Sequence, residues 1–133
     1  MTRRQLSQIY YLKKELQMWE RELNELIQSS QVKAQSIDGM PFQNTGEVSD
    51  KVAQTAIKII EHTEMVEALR FNIAERVREI DEYIMTLDDP LLKQIIQYRC
   101  CKLMSWDKVA TMVGGNNTAD SCRKYFNRKI EKD

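Results

Sequence analysis

From Ile9 onward, apolar residues fall at Ile9, Leu12, Leu16, Trp19, Leu23 and Leu26, in alternating steps of three and four. That alternation puts all of them on one seam of an α-helix, the a/d pattern of a helix that packs lengthwise against another. Lys13, Lys14, Glu15, Glu20, Arg21, Glu22 and Glu25 stand between them as a charged outer face. Opposite charges three or four residues apart support such a helix. The pattern predicts about 25 helical residues, roughly 38 Å at 1.5 Å per residue.

The period is lost in residues 28–50, where Ser, Asn, Gly39, Pro41 and Gly46 collect, so a loop over residues 29–49 is expected. Beyond Ser49, a candidate N-cap, steps of seven from Val52 reach Ile59, Val66, Ile73, Ile80 and Leu87. Chance seldom produces so regular a seam. Ala56, Leu69, Val77 and Ile84 widen the stripe, as in a helix packed on its partners. A second helix is therefore expected from Asp50 to Leu87, roughly 55 Å long. Asp88, Asp89 and Pro90 stop it, because a residue that precedes proline disfavours the α region. Since this helix outlasts the first, a hairpin of the two leaves apolar seam uncovered. Leu16, Trp19, Leu23, Val66, Ile73 and Ile80 are the expected contacts of a homo-oligomer, with a dimer favoured.

The last third changes character. Pro90 suits the first position of a third helix, with Leu91, Leu92, Ile95 and Ile96 on its inner face and an end near Cys101. Ser105 to Gly114 then reads as a short helix, with a Ser cap, Asp107 in the first turn and a glycine stop. Past Gly115, Asn116 and Asn117, residues 118–130 form a last helix. A short helix, a glycine turn and a basic helix follow the helix-turn-helix plan. At 100° per residue Cys122, Phe126 and Ile130 share one face of the last helix, while Asp120, Ser121, Lys124, Asn127 and Arg128 project from the other.

Composition supports this reading. The 133 residues are 42% apolar and hold only four Gly and two Pro, which favours helices over a turn-rich β fold. The net charge is zero, yet residues 89–133 carry nine basic and five acidic side chains, whereas residues 51–88 carry five and eight. A basic end is thus hidden in a neutral total. No apolar run is long enough to span a bilayer, and no signal peptide precedes the charged N-terminus, so a cytoplasmic protein without membrane contact is expected. Cys100, Cys101 and Cys122 are read as buried thiols, since their spacing suits no zinc site and the single histidine, His62, lies far away in a helical pattern. His62 has no nucleophile beside it, and no phosphate loop, nucleophile and base pair, or metal cluster is present. Neither an enzyme nor a cofactor is expected.

Residues 91–130 resemble the promoter-binding last region of bacterial sigma factors, on the strength of Leu103, Ser105, Trp106, Val109, Ala110, Met112 and Gly114. The turn after Gly114 is longer than in the sigma pattern. The stretches Leu12 to Glu20, Asp38-Gly39-Met40-Pro41, Ser49 to Ala53, Asp88 to Leu92, and Gly114 to Ser121 extend over nearly the whole chain. On these stretches it resembles small phage and prophage proteins of the ArpU/RinA-like kind.

The resemblance implies a phage or prophage transcriptional regulator, an activator of late genes, working in the cytoplasm of a bacterial host with double-stranded DNA as ligand. It also makes host RNA polymerase a candidate partner. The expected architecture is all-α, with a helical hairpin or coiled coil over residues 1–87 and a sigma-like helix-turn-helix over residues 88–133. Asp120, Ser121, Lys124 and Asn127 are expected to face base edges, and Ser105, Lys108, Arg123, Arg128 and Lys129 to face phosphates. Two other classes fit the same plan: a small terminase subunit that marks viral DNA for packaging, and an adaptor of RNA polymerase that does not touch DNA. A ring-shaped oligomer would favour packaging, and a dimer with promoter footprints would favour transcription.

Overall fold

The computed structural model describes residues 1–38 and 46–131; it is all-α, with no strand among those residues. The helices, in order, are α1 (Arg3–Asp38), α2 (Gly46–Met85), α3 (Pro90–Ile96), α4 (Trp106–Val113) and α5 (Ala119–Lys129). A π-helical turn, Gln97–Cys101, continues α3. None of these helices is long and apolar enough to cross a membrane.

Helix α1 starts before the heptad pattern does, because Thr2 and Gln5 cap each other. The Gln5 amide donates to Thr2 Oγ1 at 3.2 Å, and the Thr2 amide donates to Gln5 Oε1 at 2.9 Å. This reciprocal arrangement satisfies donors that a helix start otherwise leaves open. At its other end α1 continues to Asp38, and α2 begins at Gly46, so most of the loop expected over residues 29–49 is helical. Ser and Gln weaken a helix only slightly, and no Gly or Pro occurs before Gly39. Ser49, expected to be a cap, falls inside α2. The Gly39-Met40-Pro41 stretch lies outside the described residues.

The chain divides into two units, one formed by Met1–Lys14 with Asn72–Asp133 and the other by Glu15–Phe71. The division expected between Leu87 and Asp88 is therefore replaced by one that runs through both long helices. Leu6 and Ile9 of α1 and Ile80 of α2 are fully buried in the same cluster as Leu92, Ile95, Ile96, Val109, Cys122, Phe126 and Ile130. Two polar contacts reinforce this closure. The Arg3 amide donates to the Glu131 carbonyl at 2.7 Å, and Lys13 Nζ donates to the Cys101 carbonyl at the end of the π-helical turn. A cation there also suits the negative end of a helix.

In the other unit α1 and α2 lie side by side, with the Trp19 and His62 rings 5.4 Å apart and Arg70 paired with Glu20 at 3.2 Å. Val66 is buried there, while Leu16, Trp19 and Leu23 are half-buried. Ile73 and Ile80 belong to the first unit and are also buried. Val66, Ile73 and Ile80, expected as contacts of a homo-oligomer, are thus buried in the single chain. Packing within one chain already covers them.

The three cysteines are free and buried. Burial pushes the Cys100 thiol up to about 12 and raises Cys101 as well, which keeps both in the unreactive neutral form.

Leu6→Ala or Ile9→Ala should each cost on the order of 2 to 5 kcal/mol in urea unfolding, although both lie far in sequence from α3 to α5. A chain trimmed to residues 88–133 should show no cooperative thermal transition by circular dichroism. Cooperative folding of that fragment would remove α1 from the core of the first unit.

Candidate nucleic-acid interface

Helix α3 begins at Asp89, whose backbone is extended and whose Oδ1 accepts the amides of Leu91 and Leu92 at 3.0 and 3.2 Å. Pro90 follows in the first turn, where its missing N–H costs little. After the π-helical turn, Leu103 takes a left-handed conformation with φ +56° and the chain reverses into α4. Arg99 stabilises this corner by donating to the Met104 carbonyl at 2.9 Å and stacking over the Trp106 ring at 4.6 Å. The stack is a favourable cation–π arrangement.

Ser105 caps α4 by accepting the Lys108 amide at 3.3 Å, and Gly114 ends it at φ +76°. Gly115 follows at φ +67°, and positive φ at successive positions is a conformation that glycine adopts without steric penalty. Asn117 closes the turn by donating to the Gly114 carbonyl at 2.9 Å. Thr118 then caps α5 in a reciprocal box with Ser121. The buried side of α5 holds Cys122 and Phe126, with Ile130 at its end, and the Phe126 ring lies 5.7 Å from Trp106 of α4.

This leaves the opposite side of α5 to solvent. All nine residues expected to meet DNA are exposed: Ser105, Lys108, Asp120, Ser121, Arg123, Lys124, Asn127, Arg128 and Lys129. Their commitments differ. Lys124 and Asn127 make no side-chain hydrogen bond or ion pair among the described residues and are free to engage a ligand. Ser121 is not equally free. Its hydroxyl donates to the Thr118 carbonyl at 2.9 Å and accepts the Thr118 amide at 2.8 Å, so it has no proton left for a base while the cap holds. Asp120 pairs with Arg123 at 3.1 Å, but the two side chains are 72% and 47% exposed. An ion pair in that setting is weak enough to give way to a phosphate. Arg128 and Lys129 lie over the Tyr125 ring at 5.3 and 5.7 Å, which directs two cations along one flank of α5. Ser105 keeps a hydroxyl proton to donate, since its cap uses only a lone pair.

Sequence reasoning missed what aims this face. The Tyr125 hydroxyl donates to Asp89 Oδ2, joining the flank of α5 to the N-terminus of α3. The Asp-Pro pair was a legible helix-start signal for Asp89. No local signal could identify Tyr125, because its partner is 36 residues away. The Tyr125 hydroxyl, and then the Leu92 and Leu91 amides, hold the Asp89 carboxyl below the usual carboxylate range. The same bond raises the Tyr125 hydroxyl.

The depressed Asp89 carboxyl contributes stability that is complete above its ordinary value near 3.8 and is lost as pH falls through the lower folded value. Tyr125→Phe removes the main cause of the shift. Its melting temperature should therefore lie below wild type at pH 7, with the gap closing in strong acid. A gap that stays constant on acidification would show that the bond is not formed in solution. In comparisons with known proteins, the chain matches no family model, no curated protein and no solved structure.

Proposed function

We propose that the protein is a sequence-specific double-stranded DNA-binding protein that regulates transcription, with α5 as its recognition helix, and that it is not an enzyme. The observation that carries this reading is the pairing of a locked inner face with a free outer face on α5. Cys122, Phe126 and Ile130 are buried, while Lys124 and Asn127 project unpaired between Arg123 on one flank and Arg128 on the other. A helix can read base edges in the major groove only if something else fixes its direction. The core and the Asp89–Tyr125 bond do that here.

The division of labour follows from reach and commitment. Lys124, central on the outer face, can donate to guanine O6 and N7, and Asn127 can pair with the adenine edge. Arg123, Arg128, Lys129, Lys108 and Ser105 surround them as phosphate contacts, which set position and affinity without selecting sequence. Asp120 and Ser121 serve α5 itself, as the ion partner of Arg123 and as part of the cap. The resemblance to ArpU/RinA-like phage regulators points to late-gene activation through host RNA polymerase in a bacterial cytoplasm.

Lys124→Ala should cost about 1 to 3 kcal/mol on a selected site and relax the base preference there. Arg123→Ala should weaken every duplex alike and lower the slope of log affinity against log salt by about one. Both are measured by fluorescence anisotropy on selected and random duplexes across a salt series. Equal losses from Lys124→Ala on the two duplexes would refute base reading by this face. An absence of salt-dependent DNA binding in the full chain would refute the DNA reading itself.

A further inference from the structure

Helix α2 has a second apolar face. Its inner side in the Glu15–Phe71 unit holds Val66 and Thr55 buried, with Ile59, His62 and Leu69 half-buried. On the opposite side, at 100° per residue, Ile57, Ile60 and Phe71 lie within one arc and are 55%, 59% and 69% exposed. Glu61, Glu64 and Glu67 are interleaved with them and are exposed too. Among the described residues these three carboxylates make no ion pair, and Lys58 and Arg70 flank the arc without closing on Glu61 or Glu67, whereas Glu20, Glu75 and Glu79 pair with Arg70, Arg78 and Arg76. The outer side of a solvated helix is normally polar. Ile57 and Ile60 stand about one turn apart and Phe71 about three turns further on, with Glu64 and Glu67 between them, so the face interleaves exposed apolar side chains with charges of one sign.

The charge pattern decides the occupant. A second copy does not fit, since an antiparallel pairing that sets Ile57 opposite Phe71 also sets Glu64 against Glu64 and Glu61 against Glu67. A parallel pairing brings each carboxylate beside its own counterpart. Like charges so placed exclude a partner. Phosphate-bearing surfaces, whether nucleic acid or anionic lipid, are repelled for the same reason. A cationic helix with an apolar stripe satisfies both components, because its apolar residues cover Ile57, Ile60 and Phe71 while its Lys and Arg meet Glu61, Glu64 and Glu67. We propose that the outer face of α2 from Ile57 to Phe71, about four helical turns, is a docking surface for a basic amphipathic helix of a partner protein.

The probe is a synthetic amphipathic peptide of about five turns, with Leu at helical spacing and Lys beside each Leu, titrated against the full chain at about 0.1 M salt. Saturable binding is expected. Ile60→Ser and Phe71→Ser should each weaken it about ten-fold. The combined Glu61→Gln, Glu64→Gln and Glu67→Gln variant should weaken it and flatten its salt dependence. Glu22→Gln with Glu25→Gln, on the exposed side of α1, should leave it unchanged. Because all these positions are exposed, unchanged melting curves will confirm that the variants fold. No saturable binding, or equal binding by the α2 and α1 variants, overturns the proposal. So does a concentration-dependent dimer that Phe71→Ser abolishes, since the face would then belong to a second copy. DNA affinity measured on the same variants should not change, which keeps this outcome separate from that of the DNA reading.

Discussion

The direction of α5 depends on the burial of its inner face, and that burial depends on residues from the far end of the chain. Cys122, Phe126 and Ile130 share a cluster with Leu6 and Ile9 of α1 and with Ile80 of α2. An eleven-residue helix of this kind is marginal on its own in water. Full burial of a large aliphatic side chain contributes about 1.5 to 3 kcal/mol. Leu6 and Ile9 therefore supply a substantial part of what holds α3 to α5 together.

The polar contacts refine what the core makes stable. Hydrophobic burial has no directional preference of its own, so it would tolerate some rotation of α5 about its axis. The Tyr125 bond to Asp89 restricts that rotation, since the carboxylate is also held by the Leu91 and Leu92 amides. The Trp106 and Phe126 rings, with Arg99 stacked on Trp106, brace the α4 side in the same way. One carboxylate thus starts one helix and orients another.

Elements with a local signature were legible in the sequence. Pro90, the Ser105 cap, the Gly114 stop and the Cys122, Phe126 and Ile130 spacing all rest on interactions within a few residues, and the structure has each of them. The expected loop begins too early because Ser29, Ser30 and Ser36 weigh little against a helix, whereas Gly39 and Pro41 weigh heavily. The seam through Val66, Ile73 and Ile80 was legible as a buried face. Periodicity shows that a face is buried without showing whether the covering atoms belong to the same chain. The start of α1 carried a legible Thr-x-x-Gln cap that was overlooked, and with it the entry of Leu6 into the core.

The zero net charge also takes on meaning from placement. Attraction to a polyanion is set by cations close enough to contact it, because salt screens exposed charges over about 10 Å at 0.1 M. Arg123, Lys124, Arg128 and Lys129 fall within two turns of one helix, and the one carboxylate on that helix, Asp120, sits in its first turn, where a negative charge favours the helix. The surplus of acid lies instead on α2, where Glu61, Glu64 and Glu67 remain unpaired beside exposed Ile57, Ile60 and Phe71. Separating the two signs lets a neutral chain present one surface suited to phosphate and another that rejects it.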